Sequence, residues 1–300
     1  MPVITPRAIV LLHDPVLEKH GARKLHEHLG WHDPHALVQQ YIDDISTASH
    51  GLVKYQITES HEVDGYPELV DGFTYTDEAY LQCWQARSRF HKPEGADYAR
   101  LMQIVDFLPK VQAGLADELW LMGFPYAGYY ESAMGGRDAF WCNAPVIGGT
   151  QHVSRRFIVM GFNFERDVGC MLEDMGHRAE SILEHVFRNE IPTRNLWRQF
   201  SLYDKIARGH AACGNVHFAP NSERDYDWGN RRMVLSTADN WLDFPHGNRA
   251  ARAMNCVEWG NGDMRAHHLW WLQHLPHTEG LSAGGISNNW WSYIVEPDRA

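Results

Sequence analysis

The chain has 300 residues, of which 44% are hydrophobic, 22% charged and 12% aromatic. This composition predicts a globular protein and excludes collagen, low-complexity disorder and coiled coil. Lysine and arginine number 27 against 38 aspartates and glutamates, a formal net charge of −11 that argues against nucleic acid as the main partner.

The first two thirds of the sequence alternate between predicted strands and predicted helices. Short apolar or alternating runs predict strands at 8–12, 52–58, 118–122 and 156–161. Asp33 and Pro34 are typical of a helix start, and Gly51 ends that helix. The other predicted helices span 76–90, 96–111, 166–188 and 193–208.

This order of elements favours an α/β fold, with a mostly parallel open sheet and helices on both faces. From residue 209 onward glycine, asparagine, tryptophan, histidine and proline dominate, and helical periodicity returns only at 265–275. We interpret this part as an irregular C-terminal region that covers the sheet, because no linker-like run separates it. The sequence therefore predicts one domain over 1–300, with a sheet-and-helix core at 7–208.

Polar residues follow the predicted strands where an open α/β sheet binds its ligands, at the carboxyl ends of the strands. His13 and Asp14 follow the first strand, Glu131 lies in the glycine-rich loop after 118–122, and Glu165 and Arg166 follow 156–161. We expect Glu131 and Glu165 to serve as paired carboxylates and Arg166 to bind developing negative charge. The candidate substrate-binding residues of these two loops are Tyr126, Tyr130 and Asn163.

The long helix 166–188 carries a possible metal site. Glu173 and His177 are four residues apart, so their side chains share one helix face, and Glu180 continues the same stripe. A carboxylate and an imidazole on one helix can both ligate a tetrahedral ion. Gly169 and Gly176 each cost about 1 kcal/mol relative to alanine inside a helix. They lie on one side of it, which indicates that a backbone or a substrate approaches closely there.

Further ligands would come from the segment GHAACGNVHFAPN. It contains His210 and His217, and we expect His217 to stand in a short strand at 215–218. Asp225 and Asp227 follow and are candidate ligands or partners that fix a histidine tautomer. The predicted metal set is Glu173, His177, His217 and His210, with zinc as the ion.

These residues favour a metal-dependent hydrolase that acts on a small, peptide or sugar-like substrate. The ion would activate a water molecule, and Glu131 or Glu180 would act as the general base. A second hypothesis uses Glu131 and Glu165 directly as acid and base of a metal-independent glycoside hydrolase, in which case their separation decides the mechanism.

A third hypothesis is a carbohydrate- or protein-binding module without catalysis. Tryptophans cluster after residue 240, and Trp290 and Trp291 are candidates for stacking against a sugar. The alternative interpretation makes these tryptophans core anchors of an irregular region.

The cysteines and the lengths of the apolar runs indicate the cellular location of the protein. The five cysteines form no CxxC pair, and Cys142 is at most a weak nucleophile candidate. The apolar run near the N-terminus is too short for a signal peptide, and no run approaches the roughly 20 residues of a membrane helix. We expect a cytoplasmic protein that does not span a membrane.

Overall fold

The computed structural model describes residues 1–282 and 284–300. The chain divides into two compact units. The sheet unit comprises Pro6–Gln40 and Tyr55–Asp167, and the C-terminal unit comprises Met1–Thr5, Tyr41–Lys54 and Val168–Ala300. The division places the long helix of the sequence with the C-terminal region. That the chain forms a single domain stays a prediction.

The sheet unit contains seven strands, of which five form one sheet. The strands are β1 (Arg7–His13), β2 (Val16–Leu17), β3 (Arg23–Lys24), β4 (Gln56–Val63), β5 (Glu118–Gly123), β6 (Ser132–Gly135) and β7 (Phe157–Asn163). The helices are α1 (Leu25–Leu29), α3 (Asp77–Ala86), α4 (Tyr98–Ile104), α5 (Phe107–Gln112) and the 3-10 turn Glu18–His20. Helix α2 (Pro34–Ala48) contributes residues to both units.

The sheet has the strand order β4-β1-β5-β7-β6, with β6 antiparallel to β7 and the other pairs parallel. Strands β1, β5 and β7 are buried along almost their whole length, as expected for parallel strands covered on both faces. One face packs in a hydrophobic cluster against α4, α5 and the turn between them; its members include Ile9, Leu11, Leu101, Phe107, Val111, Leu119, Leu121 and Val159. The predicted α/β fold with a mostly parallel sheet is confirmed.

Local signals explain several element boundaries. The Asp33 carboxylate accepts hydrogen bonds from the backbone N–H groups of His35 and Ala36, so it caps α2 as predicted. The predicted helix 96–111 is two helices, because Asp106 between them adopts a left-handed conformation (φ 49°). The predicted strand 52–58 begins later, at Gln56, and strand β6 was not predicted.

The C-terminal unit contains the long helix and many short elements. They are α6 (Val168–Val186), α7 (Leu196–Phe200), α8 (Asp239–Leu242), α9 (Met264–Gln273), α10 (Trp291–Val295), β8 (Val234–Ser236), β9 (Arg252–Met254), β10 (His277–Leu281), β11 (Ser287–Asn289) and the 3-10 turns Cys256–Trp259 and Pro297–Arg299. None of the helices in the described residues is both long and apolar enough to cross a membrane.

Helix α6 is the central element of this unit and packs against α9 and α10. The fully buried guanidinium of Arg178 donates from Nε and Nη2 to the carbonyl oxygen of Ile294, at 3.0 and 2.7 Å. This contact satisfies an end carbonyl of α10 that has no partner within that helix. The core also contains an aromatic cluster, in which rings of the following residues contact one another: Phe187, Trp197, Phe200, Trp241, Trp271 and Trp290.

Two sequence predictions for this unit are wrong. The helix predicted over 193–208 is regular only at α7, because the backbone that follows pairs elsewhere: the carbonyls of Phe200 and Leu202 accept from Cys213 and Ala212. Residues 215–218 are not a strand, since Asn215 and Phe218 exchange hydrogen bonds and close a turn. His217 is therefore held in a turn.

Candidate metal centre

Three potential ligands converge on one point in the C-terminal unit. Glu173 and His177 project from α6, one helical turn apart, and His217 comes from the turn 215–218. The Nε2 atom of His217 lies 3.1 Å from Oε1 of Glu173 and 3.1 Å from Nε2 of His177. The third side of this triangle, from Glu173 Oε1 to His177 Nε2, is 4.0 Å. Among the described residues, these three form a group whose ligand atoms are close enough to hold a metal ion.

Each imidazole of the group has a carboxylate on its other nitrogen. His177 Nδ1 lies 3.1 Å from Oε2 of Glu180, and His217 Nδ1 lies 3.0 Å from Oδ1 of Asp225. Such a carboxylate accepts a hydrogen bond from the Nδ1–H group of the imidazole. The lone pair of Nε2 is then directed at the common point where the three potential ligands meet. Two such lone pairs 3.1 Å apart repel unless a cation lies between them. The position suits a shared proton or a metal ion.

The charges of the group support this interpretation. Burial disfavours the Glu173 anion, but the hydrogen bonds from His217 and from the Tyr226 hydroxyl stabilise it, so the pKa of Glu173 lies below its ordinary value. The same hydrogen bond with Glu173 raises the pKa of His217, against partial burial and the neighbouring His177. Without a metal, the centre thus attracts a proton to His217.

The turn that carries His217 is held tightly against α6. Asn215 Oδ1 accepts hydrogen bonds from the backbone N–H groups of His217 and Phe218, at 3.1 and 2.9 Å. The N–H of Val216 donates to Oε1 of Glu180 over 3.0 Å. A Cβ atom at Gly176 would lie 2.4 Å from Cγ2 of Val216. The sequence predicted that another segment approaches the glycines of this helix closely. At Gly176, that segment is the turn that carries His217.

Glu180 and Asp225 act on the histidines and not at the common point. Both carboxylate oxygens of Glu180 have protein partners, His177 on one and the Val216 N–H on the other. This arrangement favours a positioning role for Glu180 over the predicted role of general base. Asp227 accepts from the N–H of Glu223 and from Asn230 Nδ2, so it holds the loop that carries Asp225.

Three buried residues near the centre, which the sequence did not indicate as functional, are His267, His268 and Trp228. His267 and His268 of α9 are fully buried, and Trp228 stacks on His267 at 5.1 Å between ring centroids. His268 Nδ1 lies 3.1 Å from the carbonyl oxygen of Gly169, which ties α9 to the start of α6. Burial lowers the pKa of His268 to about 4 and lowers that of His267 as well. Both imidazole rings are therefore neutral near pH 7. The sequence signal was the adjacent pair His267-His268 in a helix, but sequence does not reveal burial.

The remaining candidates of the C-terminal unit lie apart from this group. His210 is exposed in the segment before the turn, outside the three-residue group. Trp290 and Trp291 are fully buried, and Trp290 contacts other rings of the aromatic core. Neither tryptophan presents a face to a substrate, which contradicts the stacking role and agrees with the interpretation as core anchors.

In the sheet unit, the predicted carboxylates lie near the carboxyl end of β7. The carbonyl of Glu131 accepts from the N–H of Gly161, and its exposed side chain is hydrogen-bonded by Asn143 Nδ2. Asn163 Oδ1 accepts from the N–H of Glu165 at 2.9 Å and so shapes the turn that leaves the sheet. Arg166 is exposed in that turn. The roles of Glu131, Glu165, Asn163 and Arg166 in catalysis or binding stay predictions.

The tyrosines of the loop after β5 line a cavity of about 310 Å³, together with Glu94 and Gly95. Tyr126 and Tyr130 are both exposed, and the Tyr126 ring stacks on Phe90. The N–H of Tyr130 donates to the hydroxyl of Tyr98 over 2.8 Å. Tyr126 and Tyr130 thus remain accessible to a ligand, and their binding role stays a prediction.

A hydrogen-bonded cluster also lies at the carboxyl end of β1, where sheet connections change direction between β1 and β5. The hydroxyl of Tyr129 is 2.9 Å from Nδ1 of His13, and Oδ2 of Asp14 is 2.6 Å from Nδ1 of His26. His13 and Asp14 are both buried. The sequence indicated His13 and Asp14 at this edge, but not their partners His26 and Tyr129.

Comparison with known proteins identifies no relative of this chain. No family model matches the chain, and neither the curated proteins nor the solved structures give a significant match.

Proposed function

We propose that this protein is a metal-dependent hydrolase whose ion, zinc, is held by Glu173, His177 and His217. The observation that carries the proposal is the pair of Nε2 atoms 3.1 Å apart, each imidazole being held at Nδ1 by a carboxylate. Two histidines and one glutamate are the protein ligands of several catalytic zinc sites, where water or substrate completes the coordination.

The ligand distances agree with a zinc ion. Zinc binds histidine nitrogen and carboxylate oxygen at about 2.0 to 2.2 Å, which places two ligands of a tetrahedral ion about 3.4 Å apart. The three observed distances, 3.1, 3.1 and 4.0 Å, lie around that value. Only small side-chain movements are needed to close the group on an ion.

The chemistry follows from the ion and its surroundings. A bound divalent ion lowers the pKa of a coordinated water to about 7 and polarises a carbonyl or phosphoryl oxygen. The buried His267, His268 and Trp228 reduce the access of bulk water on one side, which strengthens electrostatic interactions there. Hydrolysis adds the water oxygen to the attacked centre, and the leaving group departs with a proton.

Elemental analysis of protein purified without a histidine tag tests the proposal. We expect one zinc per chain in the wild type and almost none in His177→Ala. The matched control is His210→Ala, which removes an exposed histidine outside the group and should keep its zinc. Substoichiometric metal that is unchanged in His177→Ala would contradict the proposal. Because two histidines and a carboxylate also bind iron(II), the same analysis reports whether iron replaces zinc.

Activity measurements complete the test. Protein treated with a chelator should lose hydrolysis of ester, peptide and phosphate model substrates, and added zinc should restore it. Equal hydrolysis with and without metal would instead support the metal-independent hypothesis based on Glu131 and Glu165.

A further inference from the structure

Tyr226 is held in an unusual conformation beside the metal centre. Its backbone is left-handed (φ 55°), a conformation that is uncommon for a residue with a bulky side chain. The N–H of Tyr226 donates to the carbonyl of His217 over 3.2 Å, so the backbone of the proposed ligand fixes this conformation. The ring lies between His217 and Trp228, with centroid distances of 4.4 and 5.2 Å.

The hydroxyl of Tyr226 reaches the ligand atoms although half of the residue is exposed. The oxygen lies 3.1 Å from Nε2 of His217, the nitrogen that faces the common point. The same hydroxyl hydrogen-bonds the Glu173 carboxylate and helps to keep that group ionised. The phenol oxygen therefore contacts two of the three groups that would hold the ion.

The Tyr226 oxygen is placed where a fourth ligand atom could bind the ion. Ligand atoms of a tetrahedral zinc ion are about 3.4 Å apart. The Tyr226 oxygen lies 3.1 Å from His217 Nε2, which is close to this spacing and to the 3.1 to 4.0 Å between the ligand atoms of Glu173, His177 and His217. The contact between the hydroxyl and His217 Nε2 is the one that an ion would replace.

We propose that the Tyr226 oxygen is the fourth ligand of the metal, which makes the resting centre a Glu-His-His-Tyr site. This inference rests on the proposed function, because it needs an ion at Glu173, His177 and His217. On binding the ion, Tyr226 loses its phenol proton to solvent and its oxygen forms a bond to the metal. Water or substrate then enters as a fifth ligand or by displacing Tyr226, the most exposed member of the set.

Calorimetric zinc titration of the metal-free full-length protein tests this role. Titrations at pH 7 in buffers of different ionisation enthalpy give both the affinity and the number of protons released. Tyr226→Phe removes only the hydroxyl, so we expect its zinc affinity to fall at least about tenfold. It should also release roughly one proton fewer than the wild type. An ultraviolet difference spectrum on zinc addition should show a tyrosinate in the wild type and not in the variant.

Tyr203→Phe is the matched control, because Tyr203 stacks on Phe218 in the same turn. It should bind zinc and release protons like the wild type. Equal affinity and equal proton release in Tyr226→Phe would overturn the fourth-ligand role and leave the proposed hydrolase intact. A wild type that binds no zinc would overturn both. Circular dichroism of Tyr226→Phe verifies that a lost affinity does not come from unfolding.

Discussion

Val216 packs directly onto Gly176, so that a Cβ atom at position 176 would lie 2.4 Å from Val216 Cγ2. Real Cβ contacts are never this short, and one of the two segments would have to move. Val216 is fully buried and precedes the ligand His217, which gives the turn little room to adjust. The absence of a side chain at Gly176 thus sets the distance between helix α6 and the His217 turn.

Gly176→Ala should weaken metal binding although alanine is the better helix former. The substitution favours the helix by about 1 kcal/mol, but it displaces Val216 and with it His217. We expect zinc affinity to fall at least about tenfold, because groups that only orient a ligand already change metal affinity by this much. The control is Gly148→Ala, where a Cβ atom meets nothing within 4 Å. Equal zinc affinity in both variants would show that the turn tolerates displacement.

Glu180→Gln should lower zinc affinity by about 10- to 100-fold, the usual effect of losing a carboxylate behind a ligating histidine. The amide can still accept from the Val216 N–H, but its NH₂ group would donate to His177 Nδ1. That hydrogen bond favours the tautomer with a proton on Nε2, which blocks the ligand atom. Glu184→Gln, an exposed change one turn further along α6, is the control. A chelator competition assay measures both, and identical affinities would disprove the positioning role.

Acid should destabilise the protein through buried neutral histidines. Burial lowers the pKa of His13 to about 4, whereas an unfolded chain titrates near about 6.5. Between these values the unfolded state binds more protons, so the free energy of unfolding decreases as the pH falls. His13 alone accounts for up to about 3 kcal/mol between pH 7 and pH 4.

The comparison of His13→Gln with the wild type measures this contribution. Glutamine keeps a hydrogen-bonding group for Tyr129 but does not titrate, so its unfolding free energy in urea should depend less on pH. His210→Gln, which changes an exposed histidine, should follow the wild type. Parallel pH profiles for His13→Gln and the wild type would show that His13 does not titrate in this range.

Trp290→Ala should destabilise the protein by about 3 to 5 kcal/mol, because it leaves a cavity in the aromatic core. Trp141→Ala removes a tryptophan that is 61% exposed and should change stability by less than about 0.5 kcal/mol. Urea unfolding of the two variants gives the comparison. A small effect of Trp290→Ala, accompanied by loss of sugar binding, would restore the stacking role.

The sequence by itself determined the elements whose signals are local. Strands β1, β5 and β7 are continuous apolar runs, and α6 has apolar residues at helical spacing, so each can be read from a short segment. A continuous apolar run is typical of a strand that is buried on both faces of a parallel sheet. The pairing of Glu173 with His177 also follows from sequence, because helix geometry alone puts residues four apart on one face.

Only the tertiary structure decided which groups meet. His217 joins the α6 pair from 40 residues away, and His210, equally plausible by composition, does not. The difference arises from Gly176 and from the Asn215 hydrogen bonds, which bring one turn against the helix. Tyr226 and the buried His267 and His268 depend on the same packing. Contacts between distant segments decide which side chains meet and which are buried. A local sequence pattern does not contain information about those contacts.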